Sequence, residues 1–130
     1  MKKFSLILAL ILPMLFTSCG FFSQVDMGYP KEVIFVADGG EQIIYGEMSF
    51  NTAETHNYKN GDQGDISSGE GEEDGMIINE YQWLKVEYKE RGTGELKICA
   101  EPNTTGKSRE LHIELISGYD YHVVKVVQEK

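Results

Sequence analysis

Four aromatic side chains, Tyr81, Trp83, Tyr119 and Tyr121, are the residues best suited to recognition. An aromatic ring offers a large apolar face, and tyrosine and tryptophan add a polar tip that can meet a hydroxyl. Such rings are glycan-binding candidates, because a sugar presents C–H faces rimmed by hydroxyls. Tyr81 and Trp83 stand two apart in YQWLKVEY (residues 81–88), so on one extended strand they share a face, opposite Leu84, Val86 and Tyr88. If Leu84 and Val86 are buried, Trp83 turns outward as a platform. If Trp83 is core, Lys85 and Glu87 follow it inward unless a bulge intervenes. The alternation alone permits either.

The other reactive residue types form no familiar constellation. His56, His112 and His122 show neither H-x-H nor H-E-x-x-H spacing. His112 and His122 fall in the last two strand-like runs as cross-strand neighbours at best, and two residues do not make a metal site. Residues 61–75 (GDQGDISSGEGEEDG) hold five glycines and six acidic residues. They lack the D-x-D-x-D-G-x5-E spacing of a calcium loop and have too little apolar surface to offset the entropy of ordering. The stretch reads as a mobile, solvated loop. Paired carboxylates for glycoside cleavage need a cleft that a small sandwich does not offer, and no G-x-S-x-G elbow is present. The chain reads as a non-enzyme with no cofactor and no metal. Its formal charge of −9 is the wrong sign for a nucleic-acid binder.

Two cysteines invite a disulfide reading, but their settings differ. Met1-Lys2-Lys3 is followed by a 13-residue apolar run, residues 4–16 (FSLILALILPMLF). A spanning helix needs about 20 apolar residues, so this run has the length of a secretory signal core. The LFTSCG that closes it resembles a bacterial lipobox, with Phe16 bulkier than the usual residue at its position. That resemblance implies diacylglyceryl transfer to the Cys19 thiol and cleavage before it. The expected organisation is a lipoprotein signal peptide at 1–18, a lipidated tether at 19–31 and one domain at 32–130. Loss of Lys2 and Lys3 would take the formal charge from −9 to −11. Cys99, in ELKICAE, would then be the sole free thiol, expected to be buried and inert. The expected place is the cell envelope: a lipid anchor through Cys19, most naturally in the outer membrane facing the periplasm, since no acidic cluster directly follows the cysteine.

The elements that must position the aromatic residues are strands. Residues 32–37, 42–45, 47–50, 76–78, 81–88, 95–101, 109–116 and 119–128 are rich in β-branched and aromatic residues, alternate in polarity or both, and Gly-rich turns such as Asp38-Gly39-Gly40 and Ser117-Gly118 separate several of them. No window carries a helical period with caps. Leu96, Ile98 and Ala100 line one face of their strand, and Leu111, Ile113 and Leu115 one face of theirs. Strands recurring at this spacing predict an all-β, immunoglobulin-like antiparallel β-sandwich of about seven strands.

Four motifs in order then resemble the BACON family (Bacteroidetes-associated carbohydrate-binding often N-terminal). FVADGGEQ (residues 35–42) is similar to its F-x-A-x-G-G-x-Q start, and WLKV (residues 83–86) to its W-L-x-V centre. NTTGKSR (residues 103–109) is similar to its N-x-x-x-x-x-R corner, and Val124, Val126 and Gln128 to its V-x-V-x-Q ending. The resemblance implies an immunoglobulin-like sandwich and favours a packed Trp83. Phe50 stands near a position where family members often carry tryptophan, and the acidic insert is atypical. Since the family occurs beside glycan-degrading enzymes, it also implies a stand-alone module that binds a glycan or glycoprotein. The alternative is a structural or assembly lipoprotein that binds another envelope protein and no carbohydrate.

Overall fold

A computed structural model describes residues 23–60, 68–70, 75–90 and 94–130. The signal-like run, Cys19 and most of the acidic stretch lie outside the described residues. The described chain is all-β apart from one 3₁₀ turn, Tyr58–Asn60. Its strands are β1 (Ser23–Gln24), β2 (Glu32–Phe35), β3 (Gly40–Tyr45), β4 (Thr52–His56), β5 (Ser68–Glu70), β6 (Met76–Tyr81), β7 (Leu84–Lys89), β8 (Glu95–Ala100), β9 (Arg109–Ser117) and β10 (Asp120–Gln128).

These strands form two five-stranded sheets. The first runs β1-β10-β9-β4, with β2 also on β10, and the second runs β3-β8-β7-β6-β5. All pairings are antiparallel except those of β1 and β2, which both lie parallel to β10. β1 meets Asp120 and Tyr121, and β2 meets residues 125–128, so one edge of β10 is covered by a strand split in two. The chain between the two pieces loops inward. Met27 and Tyr29 are buried there, and the Met27 N–H donates to His122 Nδ1 at 3.2 Å. Residues 23–30, expected to be tether, are thus packed into the sandwich. Gly46 is what makes room for Tyr29, since a Cβ there would collide with the ring.

The core lies between the sheets and follows the predicted alternation on β7, β8 and β9: Leu84, Val86, Tyr88, Leu96, Ile98, Ala100, Leu111, Ile113 and Leu115 all point inward. Phe50 fills the centre, 5.8 Å from the Tyr29 ring and 5.2 Å from Tyr88. Asn79 is buried and its Nδ2 donates to the Ala53 carbonyl, which ties the two sheets together.

Five expectations need correction. Ten strands are described rather than about seven, because short edge pieces such as β1 and β5 escape a reading based on apolar runs. Residues 47–50 are not a strand; the strand is β4, whose TAETH sequence has little apolar character. Residues 81–88 are not one strand either: Gln82 and Trp83 turn the chain between β6 and β7, with Tyr81 paired to Leu84. Gln82 adopts φ 52°, a conformation uncommon for a side-chain-bearing residue. Within the acidic stretch, Ser68–Glu70 forms β5 on β6. Finally, Cys99 points away from the core and is only partly buried, because Leu96, Ile98 and Ala100 take the inward positions.

Candidate functional site

The turn between β6 and β7 decides the fate of the aromatic candidates. A two-residue turn resets the alternation, so Trp83 and Leu84 both face inward although they are adjacent. Tyr81 is 8% exposed and Trp83 6%. The Arg109 guanidinium lies 4.7 Å from the centre of the Trp83 ring, an attractive cation–π placement that occupies the face a sugar would need.

Around that pair the family-like motifs converge. Arg109 Nε donates to Gln128 Oε1 at 2.8 Å, and its Nη2 reaches the carbonyls of Pro102 and Glu101 at 3.3 and 3.4 Å. Burial pulls the Arg109 pKa down and Glu101 opposes that shift; a guanidinium stays charged all the same. Gln128 is fully buried and its Nε2 donates to the Glu101 carbonyl at 2.7 Å, with longer contacts to those of Val36 and Ala37. Asn103 Nδ2 donates to the carbonyls of Lys107 and Glu129, and its own N–H goes to Ala37. Gly39, at φ 79°, packs so closely on the Ala100 carbonyl that a Cβ would collide with it. The motif residues close one end of the sandwich by satisfying its backbone.

A shallow recess of about 240 Å³ lies beside this corner, lined by Glu80, Gln82, Trp83, Lys85, Cys99 and Glu101 among others. Glu80, Gln82, Lys85 and Glu101 make much of that lining polar or charged. Burial, then Glu41, raises the Cys99 pKa against the opposing pull of Lys85 and Lys97, so this thiol is not poised as a nucleophile.

The other two candidates are elsewhere. Tyr119 is 70% exposed at the β9–β10 turn, and Tyr121 is half-buried on the outer face of its sheet. That turn is separated from Gln128 by the length of β10, eight residue steps or about 27 Å. The structure therefore does not bring Tyr81, Trp83, Tyr119 and Tyr121 into one platform.

The outer face of the first sheet carries a polar cluster that the sequence reading missed. Glu54 pairs with Glu114 and His56 with His112 across β4 and β9. His112 and His122 are not neighbours: His112 faces outward opposite Lys125, whereas His122 is buried. The Tyr58 ring packs against both His56 and His112, with centroids 5.8 and 4.4 Å away. Burial first, and then the Glu114 carboxylate, push the Tyr58 phenol up, so its hydroxyl donates to Glu114. Burial pulls the His112 imidazole below its usual range. The available clue was parity, which puts Glu54 with His56 and His112 with Glu114, but only strand pairing joins the two sets.

Fold and site together define a class: a small all-β sandwich whose signature residues hold its shape, with polar and apolar surface available for contact. Residues 68–129, just under half of the chain, match the BACON family, described as "Putative binding domain, N-terminal". Over that span the chain is similar to that family. An NMR structure of a protein from Bacteroides thetaiotaomicron is similar to it, with a TM-score of 0.47 and 20% identity over 81% of this chain and 85% of that one. No curated protein matches it.

Proposed function

We propose that this chain is a non-catalytic binding module of the cell envelope, held by lipid on Cys19 at the outer membrane and facing the periplasm, and that its partner is an envelope protein or glycoprotein. The observation that carries this reading is the distribution of exposed apolar surface. The aromatic pair that a free glycan would stack upon is in the core, with Arg109 on the tryptophan. β2 and the residue after it instead expose Ile34 and Val36 (59%), and β3 exposes Ile43 and Tyr45 (64%). Among the described residues β3 pairs with β8 alone, and an edge strand with apolar side chains is suited to adding a partner's strand.

A photocrosslinking residue at position 45 of the full chain, expressed in its own envelope, tests this. A discrete adduct that is lost with Ile43→Glu and absent when the crosslinker sits at position 119 is expected. Equal adducts at both positions, or none at position 45, contradict the proposal. Replacing Cys19 with serine should release the protein from the membrane fraction, and retention there would overturn the anchor.

A second reading has its own support. The recess rimmed by Glu80, Gln82, Lys85 and Glu101 offers carboxylates, an amide and an amine suited to sugar hydroxyls. Saturable binding in a glycan panel, lost with Gln82→Ala and Glu101→Ala, would favour carbohydrate over protein.

A further inference from the structure

We propose that Glu54, His56 and Glu114, on the outer face of the β4–β9 pair, form a binding site for a divalent transition-metal ion, with Zn²⁺ the expected occupant. Three observations support it. The first is distance. His56 Nε2 lies 3.3 Å from Glu54 Oε2 and 3.5 Å from Glu114 Oε2, and one ligand atom from each residue falls within 4.8 Å of the others. Zinc bonds of roughly 2.0–2.1 Å at tetrahedral angles place ligand atoms about 3.3–3.4 Å apart. A charge-assisted N–H···O bond is shorter, about 2.7–2.9 Å, and one imidazole N–H cannot aim at two carboxylates together.

The second observation is charge. Glu54 and Glu114 are directly opposite each other in register, an arrangement that is unfavourable for like charges. The nearby lysines do not relieve it: Lys59 pairs with Glu110, and Lys125 with Glu110 and Glu32. Among the described residues, the ion pairs of both glutamates are with His56. A dication among the three groups removes the repulsion.

The third is preorganisation. The side chains are largely shielded, His56 at 12% exposure and the two glutamates at 23%. The His56 ring is stacked on Tyr58. The Tyr58 hydroxyl donates to Glu114 Oε1, which leaves Oε2 for the metal. Outer partners of this kind are what orient metal ligands. One imidazole with two carboxylates suits zinc better than calcium or magnesium, which prefer all-oxygen sets. The ion would pin edge strand β4 to β9 and keep a fourth position open to water or to a partner's ligand.

Isothermal titration of the detergent-solubilised full chain with Zn²⁺, after chelator treatment, tests the proposal. Co²⁺ in place of Zn²⁺ gives a visible spectrum that reports tetrahedral geometry. Saturable one-to-one binding is expected, with a tetrahedral Co²⁺ spectrum. His56→Gln and Glu114→Gln should each abolish both signals while leaving the chelated protein's Tm within a few degrees. Tyr58→Phe should weaken binding about tenfold, and Cys99→Ser should leave it unchanged. Absence of stoichiometric binding, a non-tetrahedral spectrum, or full affinity in His56→Gln overturns the site.

Discussion

Gln128→Leu examines the corner where the motif residues meet. Leucine has nearly the volume of glutamine, so the packing is kept and the hydrogen bonds are removed. The 2.7 Å bond to the Glu101 carbonyl contributes about 1 kcal/mol, and the 2.8 Å bond from the Arg109 guanidinium about 1.5–3 kcal/mol. The contacts to Val36 and Ala37 at 3.2 and 3.4 Å add little. Those two carbonyls also keep the N–H groups of Gly39 and Asn103, so neither is orphaned. Burial of leucine in place of an amide offsets part of the loss, leaving a net cost of roughly 2–3 kcal/mol. For a domain of this size that lowers Tm by roughly 10 °C. Urea denaturation of the parent, Gln128→Leu, Arg109→Met and the double variant completes a cycle. The two sites share a bond, so their effects should couple by about 1 kcal/mol or more. A loss of less than about 0.5 kcal/mol in Gln128→Leu, or simple additivity, would refute the view that these residues form one structural lock.

The pKa shifts supply two further predictions. The Lys59 hydrogen bond, and then Lys125, hold the Glu110 carboxyl below its usual range. Its stabilisation is therefore present above the unfolded value of about 4.3 and is lost as pH falls through the lower folded value. Glu110→Gln should be less stable than the parent by roughly 0.5–1 kcal/mol at pH 7, with the gap closing as pH falls below about 4; a pH-independent gap in urea titrations would contradict this. Cys99, raised by burial and then by Glu41, should alkylate several-fold more slowly than a free cysteine near pH 8. Glu41→Gln should quicken it, and an unchanged rate would remove the Glu41 contribution.

Much of the sandwich is legible in the sequence because alternation is a local property. ELKIC and RELHIEL show which side chains face inward without knowledge of any partner strand. β4 was hidden because TAETH buries only Ala53 and Thr55, and β1 because two residues carry no period. The orientation of the aromatic pair stayed open in the sequence for one physical reason. Reading 81–88 as a single strand puts Trp83 on the face opposite Leu84, whereas the Gln82–Trp83 turn resets the parity and lets Tyr81, Trp83 and Leu84 all face the core. Gln82 carries no glycine or proline signal for that turn. The motif resemblance did favour a packed Trp83, and the Arg109–Gln128 contact explains why an arginine and a distant glutamine belong to the same pattern. The Glu54–His56–Glu114 cluster depends on register between two strands separated by more than 50 residues, which periodicity does not convey.

Trp83 belongs to the fold and not to a ligand platform. Trp83 is the chain's single tryptophan, so its fluorescence reports that residue alone. Acrylamide quenching is the direct measurement, since a neutral quencher is indifferent to the negative surface. Blue-shifted emission and weak quenching are expected in the folded protein, neither altered by any member of an oligosaccharide panel, with strong quenching appearing only on unfolding. Efficient quenching of the native protein that an oligosaccharide then protects would contradict that placement.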